Sequence, residues 1–496
     1  MPTAVVAATT AITASLTAIG VAAPVATFSA NVIVALGVTA ASRFASMAIS
    51  SILAPDSISA APVGSNGQRI TIRQPVPRQH VLYGEVFTAG TMFFIEKNPP
   101  YLVIGYLLAN HECEELRSVF MNGTEVFLNA SGVAASVLYS DFFRISTRLG
   151  TAAQTLDPII ASNFPNVVST FRQRGHCTVV VEYDYGADDD EHREIWGETG
   201  RLQPIFRMRG KKVYDPRDGA QDPDDDTTWE WRQSTSLCIA DFLRYEYGGR
   251  LTSSDIDWDL FAEAATIDDQ KVELKAGGKE NRYTCSGAVR LDATPFDTIQ
   301  AMMTANYGLL TWANGKYGYI SGSFREAVGT IHEGMIAGRV ELQRERPRRE
   351  LVNKIRTEFV SPERDYQLAN GPLLENAAYI TADGQTLEET IQLPFSEGAA
   401  RAQRLAKIFM EKSRLGKRLR VPVNIEGIQY TAGDIVTVSL TNLPYADGTY
   451  EIDTVEVDFS SMTFVLSMSE HSAAPYAWDA DTEEQDFTLA DIDTST

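Results

Sequence analysis

The chain has 496 residues, of which 44% are hydrophobic and 22% are charged, as in ordinary globular proteins. This length predicts about two to four domains with sizeable cores. The formal net charge of −22 argues against a protein that holds DNA or an anionic membrane by electrostatic attraction.

The first 42 residues carry no charged side chain, and Arg43 is the first charge. Residues 25–42 form an uncharged run of 18 residues, which is the lower edge of a membrane span but is too rich in Ala and Thr to anchor firmly. Three interpretations stay open: helices packed inside an oligomer, a segment inserted into a membrane at a later step, or a disordered arm. The candidates for contact with a partner, with the lumen of such an oligomer or with a membrane are Val25, Phe28, Val32, Val34 and Leu36.

After a Ser/Gly/Pro linker at residues 56–73, the pattern predicts β-strands. The continuous apolar run Tyr101–Ala109 (YLVIGYLLA) predicts a buried strand, and residues 81–86 and 177–183 predict two more. Asn122 and Gly123 separate two short apolar segments, which predicts a β-hairpin with an Asn-Gly turn.

The stretch at residues 206–219 (FRMRGKKVYDPRDG) joins a strand, a basic turn and an acidic loop. Its glycine is expected to free the backbone for the turn, and its proline disfavours a helix at the preceding aspartate. The sequence therefore predicts a stiff turn at this point. The residues that build it are Gly210, Lys211, Tyr214, Asp215, Pro216 and Arg217.

Four aspartates follow this turn, at positions 222, 224, 225 and 226. Their carboxylates could bind calcium, but the DxDxDG spacing with a distant glutamate is absent, so a solvated acidic loop is favoured. Beyond them, helices are predicted at residues 257–265 and 296–307, and an earlier one capped by Ser234 or Thr235 and ending at Gly248 and Gly249. A second Asn-Gly hairpin is predicted at 309–320.

The strongest helical pattern lies at residues 396–414, where apolar residues share one face. The basic residues predicted to lie off that face are Arg401, Arg404, Lys407 and Lys412. Residues 435–440, 448–457 and 462–468 predict strands. From 421 to 496 there are 15 acids and no Lys or Arg, which indicates either a solvated acidic face with a flexible tail or a surface that faces DNA or a basic partner.

The sequence motifs of enzymes and metal sites are missing. The four cysteines have no paired spacing and are expected to be buried free thiols, namely Cys113, Cys177, Cys238 and Cys285. Nucleotide-binding glycine motifs and a GxSxG nucleophile motif are absent. With 65 acids a carboxylate pair arises by chance, so no pair is informative. We therefore expect no cofactor, no metal and no enzymatic activity.

Several segments, in this order, resemble the lambda J-like family of bacteriophage tail-tip hub proteins, the host-specificity or tip-attachment proteins of long non-contractile tails. They are PVPRQHVLYGEV at 75–86, which contains Tyr83 and Gly84, LVIGYLLANHECEELRSVFMNGTEVF at 102–127, RLGTAAQTLDPIIASNFPNV at 148–167, RMRGKKVYDPR at 207–217 and GDIVTVSL at 433–440. Each segment is a weak signal, and their order makes the set more specific.

The resemblance implies a β-rich, multidomain α+β fold with two β-barrel-like hub modules and a mixed α/β module, preceded by the apolar, Ala-rich amino-terminal segment. The expected divisions are 1–63 for that segment and its linker, 64–215 for the first barrel-like module, 216–335 for the α+β module, 336–478 for the second barrel-like module with helix 396–414, and 479–496 for an acidic tail.

The resemblance also implies a homotrimer at the tail tip of a virion, assembled in the cytoplasm of the bacterial host. Such a hub closes the tail tube, holds the end of the tape-measure protein and opens so that DNA passes through without specific binding. The expected partners are tail-tube ring proteins, the tape-measure protein, other tail-tip and receptor-binding proteins, and transiently a host membrane through the amino-terminal segment. Because the chain stops soon after Trp478, receptor binding is expected on other proteins.

Two alternatives stay open. The first is a tail-associated cell-wall hydrolase with a carboxylate pair, which predicts a pocket of convergent acids with shifted pKa values. The second is a hub of the same kind in a gene-transfer or bacteriocin particle.

Overall fold

The computed structural model describes residues 79–121, 123–135, 142–184, 204–362, 367–458 and 462–487. These residues form a strand-rich α+β structure, as predicted. The predicted segment 1–63 lies outside the described residues, and so do Asn122 and the contact candidates Val25, Phe28, Val32, Val34 and Leu36. In the described part of the chain, no helix is long and apolar enough to cross a membrane.

The first region is a sandwich of two antiparallel sheets. Its elements are β1 (His80–Tyr83), β2 (Glu85–Thr88), β3 (Thr91–Asn98), β4 (Tyr101–Ala109), β5 (Glu115–Met121), β6 (Thr124–Val126), β7 (Phe143–Arg148), α1 (Pro158–Asn163), β8 (Cys177–Asp184) and β9 (Pro204–Arg209). One sheet has the order β2-β9-β5-β6 and the other β3-β4-β8-β7. The predicted strand at Tyr101–Ala109 and the predicted hairpin, with Met121 opposite Thr124, are confirmed.

The apolar sequence of β8 explains its inner position in the sandwich. Val179 and Val181 enter the core between the two sheets, whereas Val180 packs with Val103 and Ile160 on the side of α1. A strand buried on both faces needs a continuous apolar run rather than alternation.

A helical region follows the sandwich. Its elements are β10 (Lys212–Val213), β11 (Glu230–Trp231), α2 (Thr235–Arg244), α3 (Trp258–Asp268), β12 (Lys271–Glu273), β13 (Lys279–Asn281), β14 (Gly287–Arg290), α4 (Pro295–Met303), β15 (Leu309–Ala313) and β16 (Lys316–Ile320). Strand β1 pairs with β14. Because strand side chains alternate, Val81 and Tyr83 enter the core of the helical region and Leu82 enters the core of the sandwich.

Helix α2 begins as predicted, with Ser234 at its N-cap position, but its predicted end is corrected. The Ser234 hydroxyl makes no capping hydrogen bond and donates instead to the buried Asp268 carboxylate (2.8 Å). The helix ends at Arg244, before the two predicted glycines. Those glycines allow the chain to fold back on the helix end, because a Cβ at Gly248 would stand 2.0 Å from the carbonyl oxygen of Phe242.

The remaining chain forms two further cores. Its elements are β17 (Gly329–His332), β18 (Glu341–Gln343), β19 (Lys354–Ser361), β20 (Gln367–Asn370), β21 (Leu374–Glu375), α5 (Ala377–Asp383), β22 (Glu388–Glu397), α6 (Ala399–Arg414), β23 (Arg418–Val423), β24 (Ile435–Ser439), β25 (Gly448–Asp458), β26 (Thr463–Glu470) and α7 (Ala480–Glu483). Helix α6 packs on the sheet of β19 and β22. The outer face of the sandwich contacts this sheet through Phe87, Val360 and Leu368.

A six-stranded sheet surrounds the last core. Its order is β17-β24-β25-β26-β23-β18, and β17 and β18 are its edges. The three strands predicted from the alternating pattern of residues 435–468 are confirmed. In the described residues this sheet does not close into a barrel, so the predicted barrel-like modules are not confirmed.

The structure corrects the prediction for the basic residues of α6. Arg401, Arg404 and Lys412 are buried, although they were predicted to lie off the apolar face. Arg404 contacts Glu280 of β13 (2.7 Å), and Lys412 contacts Glu451 of β25 (3.1 Å). A helix pattern shows one apolar face, but it does not show that neighbouring elements bring carboxylates to the other sides.

The acidic segment after residue 478 begins as a packed structure. Glu483 of α7 pairs with Lys407, and the backbone N–H of Gln485 donates to the Gln403 side chain (2.8 Å). The ring of Phe487 lies 5.3 Å from that of Phe359. The interpretation as a flexible tail is therefore wrong for residues 479–487.

Candidate functional site at the junction of the sandwich and the helical region

Two glycines let chain segments cross where the sandwich meets the helical region. Gly84 separates β1 from β2 with a φ of +65°, and Gly210 follows β9. The Gly210 N–H donates to the Gly84 carbonyl oxygen and the Lys211 N–H donates to that of Leu82 (2.8 Å each). A Cβ at Gly210 would stand 2.1 Å from the Leu82 carbonyl oxygen. Close approach, and not the predicted turn conformation, therefore requires glycine at 210.

A buried ion pair closes this crossing. The Lys211 Nζ lies 2.6 and 2.7 Å from the two Asp241 carboxylate oxygens. The Tyr83 hydroxyl donates to the same carboxylate (2.5 Å), and the Tyr245 ring lies 4.5 Å from the Lys211 Nζ. Burial and the Asp241 carboxylate raise the pKa of Tyr83. Lysine from the turn, tyrosine from β1 and aspartate from α2 thus connect three elements.

A neutral histidine supports the same strand. The Leu82 N–H donates to His111 Nε2 (2.9 Å), so the ring proton resides on Nδ1, which donates to the Glu112 carbonyl oxygen (2.7 Å). Burial lowers the pKa of His111 to about 4. The ring is therefore uncharged at neutral pH and does not compete with Lys211 for the Asp241 carboxylate.

The predicted stiff turn is held by an arginine and a carboxylate. Arg217 Nε and Nη2 each donate to Asp215 (2.8 Å), and Nη2 also donates to Asp269 just after α3 (2.8 Å). Burial raises the pKa of Asp215, but the Arg217 hydrogen bonds outweigh this and hold it below its usual value. Pro216 lies between the two partners, so the turn and the end of α3 form one rigid unit.

The acidic loop is held by Trp229 and Arg244. Trp229 Nε1 donates to the Asp222 carbonyl oxygen (2.8 Å), and Arg244 donates to the Asp224 carboxylate (2.7 Å). The Tyr214 ring meets the Trp258 ring edge-on at 4.8 Å. Within the described ranges, no group of three His, Cys, Asp or Glu side chains could hold a metal ion.

The structure brings most of the predicted site residues together. Those at the junction are Tyr83, Gly84, Gly210, Lys211, Tyr214, Asp215, Pro216 and Arg217. Gly123 lies elsewhere, at the turn between β5 and β6 with a φ of +85°. Asn122 and the five amino-terminal candidates are outside the described residues.

The buried acids that complete the junction were not predicted from the sequence. Asp241 is the partner of Lys211. Asp268 accepts hydrogen bonds from Ser234, Ser236 and Ser321 (2.7–2.9 Å), and burial raises its pKa. A usable signal existed for Asp241, which is the single acid among the apolar residues of a predicted helix.

A second buried charged cluster joins α6 to the six-stranded sheet. Glu451 of β25 contacts Lys412 (3.1 Å) and Arg325 (3.0 Å). Burial raises the pKa of Glu451, but these cations outweigh it and lower the value to about 2. The neighbouring His471 stacks on Phe324, and its burial lowers its pKa to about 4.

The four cysteines are buried free thiols, as predicted. They are nevertheless neighbours in two pairs. The hydrogen bond with Cys177 and burial raise the pKa of Cys113, and burial and the hydrogen bond with Cys285 raise that of Cys238. Thiols with raised pKa values are poor nucleophiles, which suits packing rather than catalysis.

The polar groups of the junction bind one another. Asp241, Asp215 and Asp268 each accept hydrogen bonds from two or more donors of this chain. Such an arrangement fixes the relative position of the sandwich and the helical region. We call this set of contacts a joint.

One segment of the chain matches a known protein family. Residues 294–455 match the protein family described as "Putative phage tail protein". No curated protein matches the sequence. The family match over this segment supports a phage tail protein.

A chain in the virion of a native gene transfer agent particle is 17% identical to this chain, and the alignment covers 88% of this chain and 93% of that one with a TM-score of 0.58. This likeness shows a shared fold. A 43 kDa tail protein of prophage MuSo2 from Shewanella oneidensis is 11% identical over 79% of this chain and 97% of its own, but its TM-score of 0.27 does not establish a common fold.

Proposed function

We propose that the chain is the structural hub of a siphophage-type tail tip, a trimeric adaptor that closes the tail tube, holds the end of the tape-measure protein and opens for DNA ejection. The match of residues 294–455 to a phage tail family carries this proposal. The chain with the shared fold comes from a gene transfer agent virion, which supports a place in a tail-like particle.

In this proposal the chain has two barrel-like modules, at residues 64–215 and 336–478, with the α+β module 216–335 between them. The edges β17 and β18 of the six-stranded sheet are separated by only eight residues, and Ile336 between them bridges to Val423 of β23. One continuous segment therefore contacts both β24 and β23, which supports a barrel-like curl. Two similar modules in each of three subunits offer six similar surfaces to a sixfold tube.

The charge of the chain suits a channel through which DNA must move. The net charge is −22, and residues 421–496 contain no Lys or Arg. An acidic lumen repels phosphates, whereas Lys and Arg contacts would retain them. In this proposal the apolar segment 1–55 plugs the closed tip or contacts the host membrane. Deletion of this segment tests both roles, and normal tip closure and normal infection by the deletion variant would exclude them.

The first test is the mass of the purified full chain on a sizing column with light scattering. The proposal expects three times the mass of one chain, and three copies at one end of each purified tail tube by electron microscopy. A chain that stays monomeric in solution and leaves the tube ends bare contradicts it. Lysis of purified cell wall would instead support a hydrolase.

A further inference from the structure

The hairpin of β25 and β26 extends past its neighbouring strand. Strand β24 pairs only with residues 448–451 of β25. Residues 454–457 continue beyond it and pair with β26 on one edge, with Val457 opposite Phe464. No strand in the described ranges pairs with their other edge. Such an edge offers backbone N–H and C=O groups to an added strand.

Apolar side chains lie on this end of the hairpin and on the turn that packs against it. Val457 and Phe464 are directly opposite and therefore share a face. The 3-10 turn Ile425–Gln429 covers Phe464, because a Cβ at Gly427 would stand 2.7 Å from the Phe464 Cβ. Four apolar residues beside Phe464 stay 39–67% exposed, and we call them the apolar rim: Ile425, Ile428, Val457 and Met462. A rim of this kind beside an open edge marks a docking surface.

Charge limits what can dock there. Glu456 and Asp458 are exposed on the hairpin, where Glu456 pairs with Arg420 of β23 (2.8 Å), and Glu426 is exposed on the 3-10 turn. Three carboxylates and one cation leave this surface acidic, so an occupant with carboxylates would be repelled. Of the longer parts of the chain outside the described residues, 185–203 and 488–496 carry acids, whereas residues 1–42 carry no charge.

The uncharged run at residues 25–42 has the composition of an added strand. Seven of its 18 residues are Val, Ile or Thr, which favour β-strands. Leaving its apolar side chains in water is unfavourable. Residues 43 to 79 separate it from β1 and span on the order of 100 Å when extended.

We propose that residues 25–42 dock on the open edge of β25 as an added β-strand whose apolar side chains cover the apolar rim. Backbone hydrogen bonds to residues 454–457 hold the strand, and its lack of charge makes it compatible with Glu456 and Asp458. This docking is independent of the trimeric state.

A photo-crosslinking experiment on the full chain tests the docking. Benzoylphenylalanine is placed at Val457 and, as a control, at Val168, an equally apolar residue of the sandwich region that is 65% exposed. Because Arg43 is the first basic residue, trypsin releases residues 1–43 as one peptide. We expect this peptide in crosslinks from position 457 and not from 168. Crosslinks from 457 only to other peptides, or equal yields from both positions, overturn the proposal.

A second measurement separates docking from accidental proximity. The double substitution V32D and V34D places carboxylates opposite the acidic hairpin, and V32T with V34T is the uncharged control. We expect the aspartates to lower the crosslink yield at least tenfold and to speed amide exchange of residues 454–457 at least tenfold, with little change in the control. Equal exchange in the unaltered and aspartate chains overturns the proposal, whatever the oligomeric state.

Discussion

Two groups of charged side chains hold neighbouring cores together in this protein, and they are built in different ways. The Lys211–Asp241 pair joins the sandwich to α2 and has a tyrosine hydroxyl and an aromatic ring as its other contacts. The cluster at Glu451 joins α6 to the six-stranded sheet and contains two cations and a histidine. The first is a single pair, whereas the second is a network around one carboxylate.

The difference has an energetic consequence. Removing one partner of a buried pair leaves one unpaired charge, whereas removing Glu451 leaves both Lys412 and Arg325 without their carboxylate. We therefore expect the Glu451 cluster to be the more sensitive joint. The predictions below test this order.

The largest effect is expected for E451Q. The substitution keeps the shape of the side chain but leaves two cations without their carboxylate. An uncompensated buried charge lowers the free energy of unfolding by about 3–5 kcal/mol. Amide hydrogen exchange of β25 and β26 measures the loss as a lower opening free energy. The matched control is E456Q on the same strand, whose pair with Arg420 is about half exposed and should cost at most about 1 kcal/mol. Equal effects of the two substitutions would contradict the role of the cluster.

A smaller effect is expected for G210A at the other joint. A Cβ there meets the backbone of β1, so the two segments must separate at a cost of about 1–3 kcal/mol for overpacking. The thermal unfolding midpoint measures this loss. The control is G219A, where no atom lies within 4 Å of the added Cβ. If both variants melt alike, the crossing does not require glycine.

The sequence predicted the first joint in part because its residues are contiguous. Lys211, Asp215 and Arg217 lie in one stretch, and strand alternation and the proline indicated its path. The need for Gly210 could not be foreseen, since it arises from Leu82, a residue of another strand. Asp241 was missed for the same reason, because a helix pattern does not name the partner of a buried acid.

The second joint could not be predicted from local patterns. Arg325 and His471 are separated by 146 positions and meet only because the six-stranded sheet returns to the linker after β16. The apolar face of α6 was identified correctly, but the burial of Arg401, Arg404 and Lys412 depends on carboxylates from β13 and β25. Strands were predicted well where alternation or a continuous apolar run was clear, as in β4, β25 and β26.

A still smaller effect is expected for Y83F, which removes one hydrogen bond from Asp241 and leaves the ion pair with Lys211 intact. Hydrogen bonds to charged groups contribute about 1.5–3 kcal/mol, and the retained ring packing and ion pair should keep the loss in unfolding free energy at about 1.5 kcal/mol. Urea unfolding followed by tryptophan fluorescence measures it. A loss as large as that of D241N would show that the tyrosine, and not the lysine, holds the carboxylate.

The smallest effect concerns pH, and it distinguishes the histidines of the two joints. Burial lowers the pKa values of His111 and His471 to about 4 from 6.5, so between these values the unfolded chain binds more protons than the folded chain. Stability therefore falls as pH decreases through this window, by about 1 kcal/mol per histidine between pH 7.5 and 5.5. We expect H471Q to remove about half of this pH dependence in urea unfolding. An unchanged pH dependence would mean that His471 is protonated equally in the folded and unfolded chain. The pH sensitivity of the cluster would then come from Glu451 alone, whose contribution to stability is lost only as pH falls from 4.5 towards about 2.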